Sequence, residues 1–284
     1  IFIAAASFAL SIYSYYGLRL IVPLILLFLL IKYKRELSAM KKEFVLSILL
    51  GSLFILPLLG AFIKQPDVLL GRAKTVSVFY DQGINLRRWE LASQDGVYSN
   101  TLITRFFHNK YYLYGRNIIQ RFLSHLDGRY LFMTGDQSPP FQIPQMGILN
   151  FADVFFILIG IIILFKQKLG SRWLIVFWIF AGILPAAFTF VTPSSNRTFN
   201  SIVMYGLLAA IGMSFINQIA AKKIYVTTAI VAVYAAGFGY FMHQYFIKLP
   251  LTHADWWNYG WKEAVEYVRR EENKFNNIII SDQS

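Results

Sequence analysis

Seven stretches of this chain are almost wholly apolar, and polar residues are concentrated between them. A helix needs about 20 apolar residues to cross the hydrocarbon core of a bilayer, and most of these stretches approach that length. A helix that is apolar all round is typical of a buried or membrane-spanning segment. The pattern therefore predicts one truncated and six full membrane helices. They occupy residues 1–13, 18–33, 44–63, 148–165, 173–191, 199–217 and 224–247.

The connections that follow the second, fourth and sixth apolar stretches are short and basic. Lysine and arginine accumulate in the cytoplasmic loops of membrane proteins. We therefore expect these three connections in the cytoplasm, and we expect the segment 64–147 and the residues after 247 outside it. The basic residues are Lys32, Lys34, Arg35, Lys41, Lys42, Lys166, Lys168, Arg172, Lys222 and Lys223.

The segment 64–147 is expected to contain regular structure, because structureless connections of this length are uncommon. Its run 75–80 has a β-like composition. Over 112–126, apolar residues recur at helical spacing beside Arg116 and Arg121. This periodicity predicts an amphipathic helix that lies in the lipid interface. The alternative is a helix packed on a small core of the external segment itself.

Residues 248–284 have the composition of a water-soluble domain. Asp255 is a candidate cap for a helix over 257–272, and a strand is predicted over 277–281. One helix and one strand cannot bury a core. We therefore expect them to begin an extracytoplasmic α/β domain, and we expect this chain to be a fragment of a longer protein.

The predicted fold class is thus an all-α, multi-pass integral membrane bundle, present in part, with a large extracytoplasmic loop and the start of an α/β external domain. The expected domains follow the hydropathy pattern. They are membrane helices over 1–63, the extracytoplasmic loop with its interfacial helix over 64–147, four membrane helices over 148–247, and the start of the C-terminal extracytoplasmic domain over 248–284.

The overall composition agrees with this fold class and narrows the function. Hydrophobic residues make up 56% of the 284 residues and charged residues only 15%, which excludes an ordinary soluble domain and a disordered chain. The net charge is +12, and its placement beside apolar helices suits anionic headgroups or phosphate-bearing substrates rather than nucleic acid. The chain has no cysteine, which excludes disulfides, thiolate metal sites and cysteine nucleophiles.

Two arginines are the main candidates for binding chemistry. Arg19 follows Tyr16 at the start of the second apolar stretch, where a guanidinium is costly unless it reaches water, headgroups or a partner. Arg197 lies in the turn 192–198, just before a predicted helix whose N-terminus would attract phosphate. Both could bind a lipid-linked phosphate through charge-assisted hydrogen bonds. The alternatives are snorkelling of Arg19 to the headgroups and a plain capping turn around Arg197.

A polar triplet, His108, Asn109 and Lys110, follows two phenylalanines in the external segment. A histidine with a carboxylate such as Asp136 could bind a metal or transfer a proton. An ordinary exposed loop is the alternative, because no metal-binding, nucleotide-binding or nucleophile pattern accompanies the triplet. No nucleotide cofactor is expected, and the sequence leaves open whether the protein uses a divalent metal.

Four stretches of the sequence carry a resemblance to a known family. They are SIYSYYGLRLIVPLILL at 11–27, FHNKYYLYGRNIIQRFLSHLDGRYLFMTGD at 107–136 leading to MGILNFADVFFILIG at 146–160, PSSNRTFNSIVMYGLLAAIGM at 193–213, and DWWNYGWKEAVEYV at 255–268. In this order they resemble the polytopic glycosyltransferases of the protein O-mannosyltransferase and aminoarabinose-transferase type, which belong to the GT-C superfamily. The resemblance covers most of the chain.

The resemblance implies an enzyme with a GT-C-like helical bundle that transfers a sugar from a polyprenyl-phosphate donor on the outer face of the inner cell membrane. The implied partners are this donor, membrane lipids and an acceptor that the sequence does not identify. By position, Arg19 and Arg197 match the family's basic residues facing the lipid phosphate, where they would stabilise the leaving group. The family's catalytic base is an acidic residue of its first external loop, and no residue of this chain matches it.

The same resemblance suggests residues that position the donor or the acceptor. His108, Asn109 and Lys110 match a recurring motif of the external loop, and Tyr16 belongs to the tyrosine-rich turn before the membrane helix. Two other functions remain open. A transporter or flippase for polyprenyl-linked or other anionic lipids would need paired charges or broken helices at mid-membrane. The sequence has few such features. A non-catalytic membrane scaffold would present its external domain to partners.

Overall fold

The computed structural model describes residues 1–81, 83–96, 102–275 and 278–279, and helices dominate all but the last of these ranges. Within these ranges no β-strand forms, and extended pairing is limited to one isolated bridge. The helices are α1 (Phe2–Ser14), α2 (Leu18–Lys32), α3 (Lys34–Ala39), α4 (Lys41–Lys64), α5 (Pro66–Val76), α6 (Gly83–Gln94), α7 (Leu102–Phe107), α8 (Lys110–Ser124), α9 (Asp153–Lys166), α10 (Arg172–Ala187), α11 (Ser195–Ile219), α12 (Lys223–His243), α13 (Leu249–Thr252) and α14 (Trp261–Glu271).

A helix occupies each of the seven apolar stretches, and most boundaries lie within a few residues of the predicted ones. The largest difference is at α9, which begins at Asp153 rather than at 148. The Asp153 carboxylate accepts from the backbone N–H of Asn150 at 3.0 Å, and the Asn150 side chain accepts from the N–H of Ala152 at 3.0 Å. These side-chain bonds hold a turn where the apolar sequence alone favours helix.

Three helical segments among the described residues are long and apolar enough to cross a membrane. They are Lys41–Lys64, Ser195–Ile219 and Lys223–Thr252, the last of which joins α12 and α13 through a π-helical turn. Helices Phe2–Ser14 and Arg172–Ala187 are apolar but shorter. Few or no residues of the first and third long segments are fully buried, as expected of helices whose backbone is satisfied internally and whose surface faces lipid. The lengths and composition are those of an all-α membrane protein.

The core of the bundle lies where α9, α10 and α11 meet. Glycines set the closest contact, between α9 and α11. A Cβ atom built on Gly160 would lie 1.9 Å from the carbonyl oxygen of Leu208, and one built on Gly212 would lie 2.1 Å from that of Phe156. Small residues allow such an approach between apolar helices, where van der Waals contact replaces the hydrophobic effect as the source of attraction. The buried core residues are Tyr130, Leu131, Phe156, Ile157, Leu164, Ile175, Ile179, Ile183, Met204, Tyr205, Leu208 and Ala209.

Helices α2 and α10 run antiparallel and define the two ends of the bundle. At one end, Lys32 Nζ donates to the carbonyl oxygen of Gly170 at 2.6 Å, so two of the basic connections lie together. In the middle, the rings of Phe28 and Phe177 stack with their centroids 4.6 Å apart. At the opposite end, Gly17 packs against Pro185. The turns that carry the candidate arginines lie at this second end.

The run 75–80, with its β-like composition, is not a strand, and this prediction was wrong. Helix α5 continues to Val76, and a 3₁₀ turn follows over Val78–Tyr80. Ser77 ends the helix: its side chain accepts from the N–H of Phe79, and its backbone forms the isolated bridge with Thr189. A β-rich composition therefore produces one bridge, because no neighbouring strand extends the pairing.

The amphipathic helix predicted over 112–126 is present as α8. Its buried side holds Leu113, and Phe122 stacks on Phe180 of α10 with ring centroids 5.5 Å apart. Its other side exposes Ile119 and Leu123. The helix therefore packs on the bundle rather than on a separate core of the external segment, and its exposed apolar side is compatible with a lipid interface.

The C-terminal helix is shorter than the predicted range 257–272. Residues Asp255–Trp257 form a 3₁₀ turn, and Asn258 and Gly260 adopt positive φ angles of 58° and 92°. These left-handed residues interrupt the helical conformation, so α14 begins at Trp261. Its N-cap is Gly260 and not Asp255. The strand predicted over 277–281 lies mostly outside the described residues, and Ile278 and Ile279 have no regular structure.

Candidate functional site

A cavity of about 640 Å³ opens at the end of the bundle where α2 begins and α10 ends. Four segments of the chain form its walls: the turn between α1 and α2, the end of α5 with Ser77, the segment after residue 137, and the connection from α10 to α11. The lining residues are Tyr15, Tyr16, Gly17, Arg19, Leu20, Val76, Ser77, Ser138, Phe141, Pro185, Phe188, Thr189, Val191, Ser194, Asn196 and Arg197.

The cavity brings together three of the six residues predicted from the sequence: Tyr16, Arg19 and Arg197. On one wall the guanidinium of Arg19 lies over the ring of Tyr16, 4.2 Å from its centroid. This cation–π contact orients a half-buried cation without neutralising its charge. Gly17 lies in the turn before it, where a Cβ atom would lie 2.9 Å from the ring of Tyr15 and would displace that ring.

Thr189 orients Arg197, the other arginine of the lining. The Arg197 guanidinium donates from Nη1 to the Thr189 hydroxyl at 2.7 Å and to the carbonyl oxygen of Val191 at 2.8 Å. The same hydroxyl donates to the carbonyl oxygen of Ala186 at 2.7 Å, so its lone pairs face the arginine. A second arginine, Arg121 of α8, donates to the Thr189 carbonyl oxygen. Thr189 is buried, and no pattern in the sequence distinguishes it as a site residue.

The backbone around Thr189 is fixed by an extended pairing with the end of α5. The N–H of Val78 donates to the carbonyl oxygen of Phe188 at 2.9 Å, and the N–H of Phe190 donates to that of Val76 at 3.0 Å. These bonds flank the bridge between Ser77 and Thr189. The segment 64–147 therefore holds the loop that positions Arg197.

Behind the cavity, a buried histidine supports the turn before α11. His125 is 1% exposed, and its Nε2 accepts from the backbone N–H of Ser194 at 3.0 Å. Nε2 must therefore be unprotonated, and Nδ1 carries the hydrogen that it donates to the Arg121 carbonyl oxygen at 2.7 Å. Burial lowers the pKa of His125, in agreement with a neutral ring.

Asp136 forms the second support of this turn. Its Oδ2 accepts from the N–H of Ser195 at 2.5 Å and from the Ser195 hydroxyl at 2.8 Å, and its Oδ1 accepts from the N–H of Ser138. The carboxylate therefore caps the N-terminus of α11, where negative charge is favourable. Asp136 is 1% exposed, and its bonds to Ser138 and Ser195 give it a structural role.

The triplet at 108–110 lies apart from the residues that line this cavity. His108 Nε2 is 2.9 Å from Asp95 Oδ2, and Asn109 caps α8 by accepting from the N–H of Tyr112 at 2.9 Å. Lys110 Nζ lies 5.2 Å from the ring centroid of Tyr111. Within the described parts of the chain, no group of three or more histidine, aspartate or glutamate side chains could hold a metal ion. The positioning role of the triplet stays a prediction.

The charge of the cavity favours an anionic ligand. It is lined by two arginines and by the polar side chains of Ser77, Ser138, Thr189, Ser194 and Asn196, and no described aspartate or glutamate is among its lining residues. The remaining lining is apolar or aromatic. Such a site suits a molecule that combines a phosphate group with hydrocarbon, because guanidinium groups bind phosphate oxygens through paired, charge-assisted hydrogen bonds.

Comparison of the chain with protein-family models, with curated proteins and with solved structures gives no match. The function therefore rests on the geometry of the cavity and on the residues that line it.

Proposed function

We propose that this chain belongs to a membrane glycosyltransferase that uses a polyprenyl-phosphate-linked sugar as its donor, and that the cavity binds the donor's phosphate. The observation that carries the proposal is the convergence of Arg19 and Arg197 on one cavity, with no acidic side chain among the described residues of its lining. The two arginines lie far apart in the sequence, and the packing of α10 against both α2 and α11 brings them to the same cavity.

In this proposal the two arginines act on the phosphate as the glycosidic bond breaks. Negative charge on the phosphate increases as the sugar departs, and fixed cations beside it stabilise the transition state more than the ground state. The ring of Tyr16 orients Arg19, and the hydroxyl of Thr189 orients Arg197. No described acid lines the cavity, so the proposal assigns no catalytic base among these residues.

The proposed function also implies how the helices are arranged in the membrane. The seven apolar helices would form a multi-pass, GT-C-like bundle in the inner cell membrane, with the cavity at its extracytoplasmic face. The basic connections around Lys32 and Gly170 would then lie on the cytoplasmic side, at the end of the bundle opposite the cavity.

The first test measures phosphate binding with farnesyl phosphate, a short polyprenyl phosphate, and with farnesol as the uncharged comparison. We expect the purified chain in detergent to bind farnesyl phosphate and to bind farnesol at least tenfold more weakly. Arg19→Gln and Arg197→Gln should each weaken farnesyl phosphate binding by about tenfold or more, the scale of one charge-assisted hydrogen bond. Arg116→Gln is the matched control, because Arg116 is exposed on α8 and does not line the cavity. Equal binding of the two ligands would refute a phosphate site.

The second test separates a transferase from a lipid transporter. Membranes containing the protein are supplied with a radiolabelled polyprenyl-phosphate hexose, and label is followed into acceptor lipid, glycan and protein fractions. The proposal expects transfer that Arg19→Gln abolishes and Arg116→Gln preserves. Movement of the donor across the membrane of sealed vesicles, without transfer of the sugar, would instead favour a flippase.

A further inference from the structure

A groove of about 340 Å³ runs between α9 and α11, at the end of the bundle where Lys32 contacts Gly170. Several of its lining side chains are exposed, so a ligand can reach them from outside the bundle. They are Gln167, Leu207, Ala210, Ser214 and Gln218. The groove shares no lining residue with the arginine cavity, which lies at the opposite end.

The lining of the groove changes from polar to apolar along α11. Gln218 and Ser214 form the polar part, where Gln218 Nε2 donates to Ser214 Oγ at 3.3 Å. Ile211 and Leu207 continue the lining toward the middle of the helix. At a rise of about 1.5 Å per residue, the polar part extends for about 6 Å and the whole groove for about 16 Å. The polar interface on each side of a bilayer is about 5–7 Å thick, so the polar and apolar parts match the headgroup and the hydrocarbon of a lipid.

Lysines flank the polar end of the groove. Lys168 lies between two lining residues, Gln167 and Leu169, and Lys222 comes shortly after the lining residue Gln218. The connections that carry these lysines contain no aspartate or glutamate, and no ion pair among the described residues includes them. We call this group of exposed lysines the lysine rim. Its members are Lys166, Lys168, Lys222 and Lys223.

Lys168 has a backbone conformation that favours glycine. Its φ angle is 51°, and the N–H of the next residue, Leu169, donates to the carbonyl oxygen of Leu164 at 3.3 Å, which closes the end of α9. Glycine is the usual residue at such a left-handed helix end. Lys168→Gly therefore removes a charge from the lysine rim without straining the backbone.

We infer that this groove binds an anionic glycerophospholipid, with its phosphate at the lysine rim and an acyl chain along Ile211 and Leu207. Basic clusters beside membrane helices attract anionic headgroups, and the apolar part of the groove requires hydrocarbon. An acidic protein or a nucleic acid would meet the lysines but would leave the apolar part uncovered. The inference does not rest on the proposed transferase function, because the groove and the arginine cavity are separate.

The first experiment compares two lipids that share their acyl chains and differ in net charge. Dioleoyl phosphatidylglycerol and dioleoyl phosphatidylcholine are added at equal concentration to the purified chain in detergent, and retained lipid is measured by native mass spectrometry. We expect the wild type to retain phosphatidylglycerol about fivefold or more over phosphatidylcholine, the scale of two exposed ion pairs. Raising the salt concentration before the measurement should reduce this preference, because exposed charges are screened.

Two variants of the lysine rim test where the preference originates. Lys168→Gly and Lys222→Gln should each reduce it by about two- to threefold, the scale of one exposed ion pair. Lys168→Gly should leave the melting temperature unchanged or raise it, so a weaker preference would not come from a damaged fold. Lys248→Gln is the matched control, because it removes an exposed lysine near the other end of the segment Lys223–Thr252. Farnesyl phosphate binding should be unchanged in all three variants.

The second experiment locates the lipid in the groove. The chain has no cysteine, so Ser214→Cys introduces a single thiol among the lining residues. We expect phosphatidylglycerol to slow maleimide labelling of this thiol about threefold or more, and glycerol 3-phosphate, which lacks hydrocarbon, to leave it unchanged. Ser38→Cys, at an exposed position of α3, should be labelled at the same rate under all conditions.

Four results would each overturn the inference. The first is equal retention of the two lipids by the wild type, and the second is an unchanged preference in both Lys168→Gly and Lys222→Gln. The third is labelling of Ser214→Cys at the same rate with and without phosphatidylglycerol. The fourth is equal protection by glycerol 3-phosphate, since the site would then bind free phosphate without an acyl chain.

Discussion

The contact between α9 and α11 gives the most quantitative prediction about this structure. Replacing Gly160 by alanine places a methyl group 1.9 Å from the carbonyl oxygen of Leu208, whereas ordinary contact begins at 3.4 Å. The two backbones must separate by about 1.5 Å at this point or distort, and a gap of 0.5–1 Å already loses a quarter to a half of the dispersion energy of each contact. The expected net cost is about 1–3 kcal/mol.

The helix α11 supplies an internal control. A Cβ atom on Gly206 meets nothing within 4 Å, so Gly206→Ala should be neutral or stabilise the helix by up to about 1 kcal/mol. Gly212→Ala should resemble Gly160→Ala, because its Cβ would lie 2.1 Å from the Phe156 carbonyl oxygen. The double variant should cost less than the sum of the two, since one separation of the helices relieves both clashes.

Thermal unfolding in detergent, followed by circular dichroism, measures these differences. For a chain of this size each kcal/mol changes the melting temperature by about 2–4 °C, so Gly160→Ala and Gly212→Ala should each lower it by about 2–12 °C. Gly206→Ala should leave it unchanged or slightly raised. Equal melting temperatures for Gly160→Ala and Gly206→Ala would refute the close packing of α9 and α11.

Three further predictions concern the supports of the cavity. Thr189→Val keeps the side-chain shape but removes the acceptor for Arg197, so farnesyl phosphate binding should weaken by about three- to tenfold in a titration. Asp136→Asn removes the charge that caps α11 at Ser195, and denaturant titration should show a loss of about 1–3 kcal/mol. Burial lowers the pKa of His125 below that of the unfolded chain, about 6.5, so stability should be full above that pH and fall as the pH decreases. His125→Gln should flatten this dependence between about pH 7.5 and 5.5 in melting-temperature measurements.

The helices of this chain could be predicted from its sequence because hydropathy and helical periodicity are local properties. All seven apolar stretches are helical, and the amphipathic pattern over 112–126 corresponds to α8. The observed helix boundaries differ from the predicted ones where side chains form hydrogen bonds with backbone N–H groups, as those of Asn150 and Asp153 do before α9. The β-like run 75–80 was misleading because strand formation depends on a distant partner, and here only Ser77 finds one.

The candidate site was predictable only in part. Arg19 and Arg197 could be selected individually, because a guanidinium beside an apolar helix is costly and therefore informative. Their convergence could not be predicted, since it depends on the antiparallel packing of α2 and α10. Thr189 and His125 carried no signal in the sequence: a threonine at the end of an apolar run and a histidine at the end of an amphipathic helix are both common, and their roles arise from contacts with distant residues.

The arrangement around Thr189 explains how two arginines lie close together beside the cavity despite their like charges. Arg121 and Arg197 both donate to this one residue, so two like charges are held close together through neutral acceptors. Neutral acceptors satisfy the N–H groups but leave the positive potential in place, whereas a carboxylate would cancel it. The nearest buried carboxylate, Asp136, is engaged by the backbone of α11. An anion that enters between Arg19 and Arg197 therefore meets donors already oriented by Tyr16 and Thr189, and the cost of ordering these side chains has been met during folding.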